Sequence, residues 1–247
     1  MVIGDSHVDA IKRAIKVRRM GGAETDVSAY RLSKMKNDKL IGDISFQDCI
    51  VRIRTLGPRD VVVSAIGGNQ HAVFSTIQHP TPFDFFEQGN DSVASDDTVQ
   101  IIPKRMLASI FDAGIRNGDG QQLSALRGAT KARVFHLVPP PPKENNAHIL
   151  SYHETKFAED DIVSLGVSPP ALRLKFWKLQ ASILGQFCGE NAIEIIYPIA
   201  AALTPDGYLS PDYYANDATH ANGRYGELVL QHLEALANSS SVQGTGS

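Results

Sequence analysis

Three short groups of polar residues, widely separated in the chain, carry side chains that could together perform acyl-transfer chemistry. They are Gly4-Asp5-Ser6, Gly67-Gly68-Asn69 and Asp217-Ala218-Thr219-His220. A serine hydroxyl needs a base to remove its proton, and histidine is the usual base near neutral pH. The histidine needs a carboxylate to fix its tautomer, and a developing oxyanion needs several hydrogen-bond donors. The three groups contain a residue type for each of these tasks.

The first group is predicted to form a strand end, a tight turn and a helix start. The apolar residues 1–3 run into Gly4, and a helical pattern begins directly after the turn. Ser6 would then lie at a helix N-terminus, where free backbone N–H groups and the helix dipole favour negative charge. A serine there can be a nucleophile, and its own N–H can help hold an oxyanion. On this motif alone, the alternative is that Asp5 or Ser6 caps the helix.

The other two groups also lie where predicted elements end or begin. Asn69 follows the clearest strand, predicted over residues 60–66 because nearly all of them are apolar. Asp217 precedes His220 by three residues, and in a turn-like loop this spacing lets the carboxylate fold back onto the imidazole ring. The Asn69 amide and a glycine N–H are further candidate donors to an oxyanion.

The remaining pattern predicts a mostly parallel sheet with helices on both faces, because strands alternate with helices. The strands are predicted at residues 1–3, 27–30, 60–66, 132–138 and 192–197. The helices are predicted at residues 7–20, 45–56, 103–115, 121–127, 168–188 and from about 223 onward. Ligands bind outside the carboxyl ends of the strands in such sheets, so the three polar groups are expected at one rim.

Three segments lie outside the predicted strands and helices, and the sequence leaves open whether the two insertions among them are lids, partner surfaces or disordered. Residues 31–44 are predicted to form a long loop, and residues 74–98 and 143–167 to form insertions. The chain is expected to be a single domain over residues 1–237, followed by a disordered Ser/Gly-rich tail over residues 238–247.

Composition limits the classes of function. The 247 residues, 43% of them hydrophobic, suit one large α/β domain with a sizeable core. The net charge of −3 and the absence of a basic block argue against nucleic acid or an anionic membrane surface as a partner. No apolar run reaches the length of a transmembrane helix. Neither a cofactor nor a metal site is predicted, because the sequence has no CxxC motif and no His/Cys cluster.

The cysteines and the chain start bear on the expected location. Cys49 and Cys188 fall on apolar faces of predicted helices, so we expect buried thiols and no disulfide. The first strand is predicted from Met1, so no signal peptide is predicted and the expected location is the cytoplasm. The oligomeric state is left open by the sequence.

Together, the three groups resemble the first, third and fifth sequence blocks of the SGNH/GDSL hydrolase family, in the family's order and at family-like distances. The resemblance implies a flavodoxin-like three-layer α/β/α sandwich with a five-stranded, mostly parallel sheet. It also implies serine esterase chemistry. In that reading Ser6 is the nucleophile, His220 the base and Asp217 the acid that orients the base, and Asn69 donates its amide to the oxyanion.

The sequence departs from the family pattern at several positions. His7 stands where the family usually has leucine, and Gln70 stands where its third block often has aspartate. The block with the oxyanion glycine has no clear match, although Gly42 lies in the expected region. Gly68, His7 and His71 are further candidates for the substrate pocket. For each histidine the alternative is a surface residue that caps a helix or a turn.

Other candidates have structural explanations. His136 lies within a predicted strand, which favours a hydrogen-bonded core histidine. Phe83, Phe85 and Phe86 could form an apolar wall for an acyl or sugar group, or could pack a loop onto the sheet edge, and the sequence does not separate these possibilities.

The sequence therefore favours a serine hydrolase that cleaves a carboxylic ester through an acyl-enzyme on Ser6. Family habit and a polar composition favour a small acyl group, such as acetyl on a carbohydrate or a similar alcohol. Acyl transfer to another alcohol, thioesterase chemistry and lysophospholipase chemistry are alternatives with the same triad. A non-catalytic module with a phosphate at the Ser6 helix N-terminus has less support, because no GxGxxG follows the first strand.

Overall fold

The structure is a computed structural model that describes residues 1–36, 38–87, 98–153, 157 and 159–242. Its strands are β1 (Val2–Gly4), β2 (Ala29–Arg31), β3 (Lys34–Lys36), β4 (Lys39–Ile41), β5 (Val61–Ala65), β6 (Phe83–Asp84), β7 (Gln100–Ile101), β8 (Arg133–Leu137) and β9 (Glu194–Ile196). Five of them form a parallel sheet in the order β2-β1-β5-β8-β9. The pairs β3–β4 and β6–β7 form separate two-stranded sheets.

Helices cover both faces of the central sheet. They are α1 (Val8–Met20), α2 (Phe46–Ile53), α3 (Gln70–Ser75), α4 (Lys104–Asn117), α5 (Asp119–Ala129), α6 (Asn146–Ser151), α7 (Ile162–Leu165), α8 (Pro170–Glu190) and α9 (Gly223–Val242). Helices α1 and α9 pack on one face, and α2, α4, α5 and α8 pack on the other. Within the described residues, none of the helices combines the length and the apolar character that a membrane crossing requires.

The core consists of two apolar layers separated by the sheet. Val62 of β5 packs into the layer beneath α8, whereas its neighbour Val63 packs against α1 and α9. Strand β1 alternates in the same way, with Ile3 and Val2 on opposite faces. Strands buried on both faces read as continuous apolar runs, which is why 60–66 was the clearest strand in the sequence. The predicted flavodoxin-like three-layer sandwich with a five-stranded parallel sheet is confirmed.

Close packing at the ends of β1 and β5 brings two of the polar groups together. A Cβ atom on Gly4 would lie 2.3 Å from the Ala65 carbonyl oxygen, so only glycine allows this approach. The Asp5 N–H donates to the same oxygen at 3.1 Å, and Asp5 Oδ2 accepts from the Gly67 N–H at 2.9 Å. The turn after β1 and the turn after β5 are therefore held edge to edge.

The predicted loop over residues 31–44 contains an antiparallel hairpin. Strands β3 and β4 pair Met35 with Leu40, and both side chains are exposed. Asp38 has a φ of +57°, as tight hairpin turns require. The prediction of an unstructured loop is wrong because strands of three residues without a buried face leave no hydrophobic pattern to detect.

The two predicted insertions also contain short elements. Helix α3 and strand β6 include part of residues 74–98, and residues 88–97 lie outside the described part of the chain. Helices α6 and α7 lie in residues 143–167, of which 154–156 and 158 are not described. Helix α9 continues to Val242, past the boundary predicted at residue 238, since an established helix gains one hydrogen bond for each added residue. Residues 243–247 lie outside the description.

Several single-residue expectations are resolved. Cys49 and Cys188 are free and buried, as predicted, and burial raises the pKa of their thiols to about 11 and about 12. Phe85 is buried against Phe176 of α8, with ring centroids 5.1 Å apart, so it packs the loop onto the core. His136 is buried, but neither ring nitrogen has a hydrogen-bond partner in the described part of the chain. The expected core position is therefore confirmed, whereas the expected hydrogen bonding is wrong.

Candidate active site

Ser6, His220 and Asp217 meet at the carboxyl rim of the sheet. His220 Nε2 lies 2.7 Å from Ser6 Oγ, across a separation of 214 residues. His220 Nδ1 lies 3.0 Å from Asp217 Oδ2. When Nδ1 carries the ring proton and donates it to the carboxylate, the lone pair of Nε2 faces the serine hydroxyl. This arrangement can remove the hydroxyl proton and stabilise the imidazolium that results.

The carboxylate folds back onto the ring through a local turn. Asp217 Oδ1 accepts from the backbone N–H groups of Thr219 at 3.0 Å and His220 at 2.7 Å. Short polar side chains commonly close such turns on their own following backbone. The other oxygen, Oδ2, remains for the His220 ring, so the three-residue spacing works as the sequence predicts. Asn222 then caps α9 by accepting from the Arg224 N–H at 2.9 Å.

The charge of the carboxylate is stabilised by its surroundings. Burial by itself raises the pKa of Asp217, but the hydrogen bonds and charge of His220, together with the charge of Lys143, outweigh burial. The net effect holds the pKa of Asp217 well below its usual value. The group is therefore a carboxylate at neutral pH.

Ser6 lies on the tight turn that leads into α1. The carbonyl oxygens of Asp5 and Ser6 accept from the N–H groups of Val8 at 3.2 Å and Asp9 at 3.1 Å, which starts the helix. His7 occupies the N-cap position and makes no side-chain capping bond. The Ser6 hydroxyl contacts His220, so the geometry favours the nucleophile interpretation over helix capping.

The turn that carries Asn69 is supported from several sides. Gly67 and Gly68 have φ values of +69° and +83°, which glycine adopts without strain. Asp119 packs against Gly67 and accepts from the Gly68 N–H. Gln180 of α8 donates to the Gly68 carbonyl at 2.5 Å. Asn69 therefore enters the site from a rigid turn.

His7 connects the first and second polar groups. Its Nε2 atom lies 2.9 Å from Asn69 Oδ1, and its ring centroid lies 4.9 Å from that of His220. Burial, and then the nearby charge of His220, lowers the pKa of His7 to about 3. At neutral pH the ring is neutral, and the tautomer with its proton on Nε2 donates to the Asn69 oxygen. The NH₂ group of that amide is then left for another acceptor.

The remaining predicted site residues have distinct positions. His71 is buried and its Nδ1 lies 3.0 Å from the Gly68 carbonyl oxygen, so it supports the turn. Burial lowers the pKa of His71 to about 4. Gly42, which follows β4, has a φ of +112°. It lies against the backbone of Leu32 and Ser33, the two residues that follow β2. Its role as the oxyanion glycine stays a prediction.

Two ion pairs connect α1 to Asp43, the residue after Gly42, and to Arg31, the last residue of β2. Asp43 Oδ2 accepts from Lys12 Nζ at 2.5 Å and from the Arg31 N–H at 2.7 Å. The Arg31 guanidinium donates to Asp9 at 2.5 Å. Asp43, which follows β4, and the end of β2 are thus fixed beside the helix that begins after Ser6.

Three residues that support the site were not predicted from the sequence. Lys143 is buried beneath Asp217, and Gln180 and Asp119 hold the glycine turn. A lysine directly after Pro139–Pro142 and a glutamine within a largely apolar helix carry no distinguishing signal, because both residue types are usually exposed. Within the described residues, no group of three or more His, Cys, Asp or Glu side chains is arranged to hold a metal ion.

Comparison with known proteins finds similarity in fold. No family model and no curated protein matches the chain. One similar structure is the periplasmic domain of a lipopolysaccharide acetyltransferase from Salmonella ser. Paratyphi A, with 15% identity, a TM-score of 0.48, and coverage of 95% of this chain and 82% of that chain.

Two further solved structures are similar at the same level. A carbohydrate acetylesterase from Sinorhizobium meliloti has 15% identity and a TM-score of 0.41, with coverage of 95% of this chain and 98% of that chain. A GDSL-like lipase from Bacteroides thetaiotaomicron has 12% identity and a TM-score of 0.40, with coverage of 97% and 87%. The likeness to all three concerns the fold.

Proposed function

We propose that this chain is a serine hydrolase that cleaves a carboxylic ester through an acyl-enzyme on Ser6. The observation that carries the proposal is the hydrogen-bonded series from Ser6 Oγ to His220 at 2.7 Å and from His220 to Asp217 at 3.0 Å. A hydroxyl, an imidazole and a carboxylate are joined in the one order that activates a serine.

In the first half-reaction, the Ser6 oxygen attacks the ester carbonyl carbon while its proton passes to His220 Nε2. The imidazolium is stabilised by Asp217, and the carbonyl oxygen becomes an oxyanion. When the tetrahedral intermediate collapses, the bond to the alcohol oxygen breaks and His220 donates its proton to the leaving alcohol. The acyl group remains on Ser6.

In the second half-reaction, water takes the place of the alcohol. His220 removes a proton from water, and the resulting hydroxide attacks the acyl carbon. Collapse breaks the bond to Ser6 Oγ, and His220 returns the proton to the serine oxygen. The products are a carboxylic acid and the regenerated enzyme.

We assign stabilisation of the oxyanion to the Ser6 backbone N–H, the Asn69 side-chain amide and the Gly42 N–H. The hydrogen bond from His7 occupies the Asn69 oxygen, which supports the assignment of the NH₂ group as the donor. Preorganised donors of this kind commonly contribute about 10²- to 10³-fold each to turnover.

We assign a small acyl group, such as acetyl on a carbohydrate or a similar alcohol, as the substrate class. A series of p-nitrophenyl esters from acetate to decanoate tests this assignment. We expect kcat/KM to fall as the chain lengthens, and a preference for the longest chains would contradict a small-acyl pocket. An added acceptor alcohol that converts most of the product to a new ester would identify a transferase.

A fluorophosphonate probe tests the catalytic assignment directly. We expect the probe to modify Ser6 in the wild-type protein, and Ser6→Ala and His220→Ala to abolish both labelling and ester turnover. Ser109→Ala is the matched control, since this exposed hydroxyl contacts only the Arg105 carbonyl among its described hydrogen bonds. Labelling at another residue, or labelling that survives both substitutions at the site, would refute the proposal.

A further inference from the structure

Lys143 is a buried lysine that contacts the segment carrying Asp217. Only 1% of the residue is exposed. Its Nζ atom donates to the carbonyl oxygens of Ala215 at 2.7 Å and Asp217 at 2.5 Å, and lies 3.4 Å from Asp217 Oδ1. A buried ammonium group is costly unless its donors are satisfied and its charge is compensated. The position of Lys143 therefore depends on the loop that precedes His220, and that loop depends on Lys143.

The backbone around Lys143 is itself fixed. Arg173 of α8 is buried and donates to the carbonyl oxygens of Lys143 at 2.8 Å and Glu144 at 3.1 Å. The Glu144 N–H donates to the Tyr214 hydroxyl at 3.0 Å. Hydrogen bonds thus connect α8 to the segment at residues 143–144, and that segment to the loop at residues 214–217.

A histidine and an aromatic ring complete the surroundings of the ammonium group. His148 Nε2 lies 3.0 Å from the Ala215 carbonyl oxygen and 3.4 Å from Lys143 Nζ. The Tyr214 ring lies under Nζ, with its centroid 5.2 Å away. A cation over an aromatic face is a favourable contact for a charged lysine.

We propose that Lys143 is a positioning residue for Asp217. It acts both by holding the loop that carries Asp217 and by placing a fixed positive charge behind the carboxylate. This inference rests on the proposed function of Ser6 and His220. The charge favours the ionised carboxylate and opposes protonation of the His220 ring beyond it, so it keeps the base in its neutral, reactive form. The loop contacts hold Oδ2 toward Nδ1.

Groups that contact His220 and Lys143 also influence the pH dependence of activity. Among the described residues, His220 is faced by Ser6, Thr219 and His7 as well as by Asp217. Lys143 is faced by His148, Tyr214 and Asp217. The His7 ring remains in every variant described below, so differences between variants report on position 143.

The test compares substitutions that separate charge from hydrogen bonding. Lys143→Met removes both, Lys143→Gln keeps an N–H donor without charge, and Lys143→Arg keeps the charge. Lys175→Met is the matched control, because this lysine on α8 is partly buried and likewise pairs with a carboxylate, Asp84, at 3.1 Å. Each variant is assayed from pH 4 to pH 9 for p-nitrophenyl acetate turnover and for the rate of fluorophosphonate labelling of Ser6.

We expect the acid limb of both profiles to move to higher pH, by roughly half a unit, in Lys143→Met and Lys143→Gln. Removing the positive charge makes the imidazolium easier to form, which sets the direction. The plateau of kcat/KM should fall about tenfold or more in Lys143→Met, because the loop that carries Asp217 loses its hydrogen bonds from Lys143. Lys143→Arg should restore the acid limb, and Lys175→Met should leave both features unchanged.

Several outcomes would overturn the proposal. A folded Lys143→Met protein whose acid limb coincides with that of the wild type would limit Lys143 to a structural role. If Lys143→Met does not fold, the acid limb of Lys143→Gln decides in the same way. Loss of labelling in Ser6→Ala with unchanged acid limbs in the Lys143 variants would refute this inference alone. Turnover that survives in Ser6→Ala would refute the proposed function itself.

Discussion

The Nε2 atom of His7 lies 2.9 Å from Oδ1 of Asn69, so the residue after Ser6 holds the amide on the neighbouring turn. A leucine at position 7 could not make this bond. Because burial and the charge of His220 lower the pKa of His7 to about 3, the ring is a neutral donor at neutral pH. The histidine at position 7 thus has a structural consequence for the neighbouring turn.

The first prediction concerns this pair. We expect His7→Leu to lower kcat for p-nitrophenyl acetate about tenfold with little change in KM, because Asn69 loses the bond that orients its amide. Asn69→Ala should lower kcat more, by about 10²-fold or more. In the double variant, the losses should not add, since orienting an absent amide has no effect. Additive losses would show that His7 acts independently of Asn69.

The second prediction concerns Asp217. We expect Asp217→Asn to lower kcat/KM by about three orders of magnitude, because an amide N–H facing His220 Nδ1 favours the tautomer with its proton on Nε2. That tautomer cannot accept the Ser6 proton. Asp212→Asn is the control, since this carboxylate is exposed and lies 3.6 Å from Arg224. Comparable losses in the two variants would contradict the assigned role.

The same carboxylate predicts a pH dependence of stability. The pKa of Asp217 in the folded protein is held below its value in the unfolded chain. The carboxylate therefore contributes to the free energy of unfolding above about pH 4, and this contribution is lost as pH falls through the folded-state pKa. Asp217→Asn should therefore lower the free energy of unfolding at pH 7 and have a smaller effect at pH 3. Urea denaturation of both proteins at the two pH values measures this, and an equal effect at both would exclude the linkage.

The fourth prediction concerns His136, whose burial lowers its pKa to about 4. Between about pH 4 and pH 6.5 the unfolded chain binds a proton here that the folded protein does not, so the contribution of His136 to stability should rise with pH by about 1.4 kcal/mol per unit. His136→Leu should reduce the overall slope by this amount, leaving the contributions of His7 and His71, without lowering the melting temperature at pH 7. The matched control is His79→Leu, at an exposed position. A clear loss of stability at pH 7 would instead indicate that the ring has a partner.

The fifth prediction concerns the close approach of β1 and β5. We expect Gly4→Ala to lower the free energy of unfolding by at least about 2 kcal/mol, because its Cβ atom would overlap the Ala65 backbone. Gly128→Ala is the control, since a Cβ atom there meets nothing within 4 Å and α5 should gain about 0.5 kcal/mol. Denaturation curves for both variants compare the two sites, and similar small effects at both would contradict the packing argument.

Strong local patterns made the layers of the fold predictable. Strands β5 and β8 are mostly apolar, and α8 repeats its apolar residues at helical spacing, so each element is determined by its own residues. The hairpin β3–β4 and the six-residue helix α3 could not be found in this way. Elements of this length contain too few residues for a period to be distinguished from chance.

The sequence by itself determined the chemical groups at the site and the two local turns that present them. The turn through Ser6 and the fold-back of Asp217 onto His220 each involve residues within four positions of one another, so short-range hydrogen bonding is sufficient to form them. Only the tertiary structure decided that His7 holds Asn69 and that Lys143 lies buried behind Asp217. Those contacts join residues more than sixty positions apart, and burial of a lysine depends on the packing of every element around it, which no local pattern encodes.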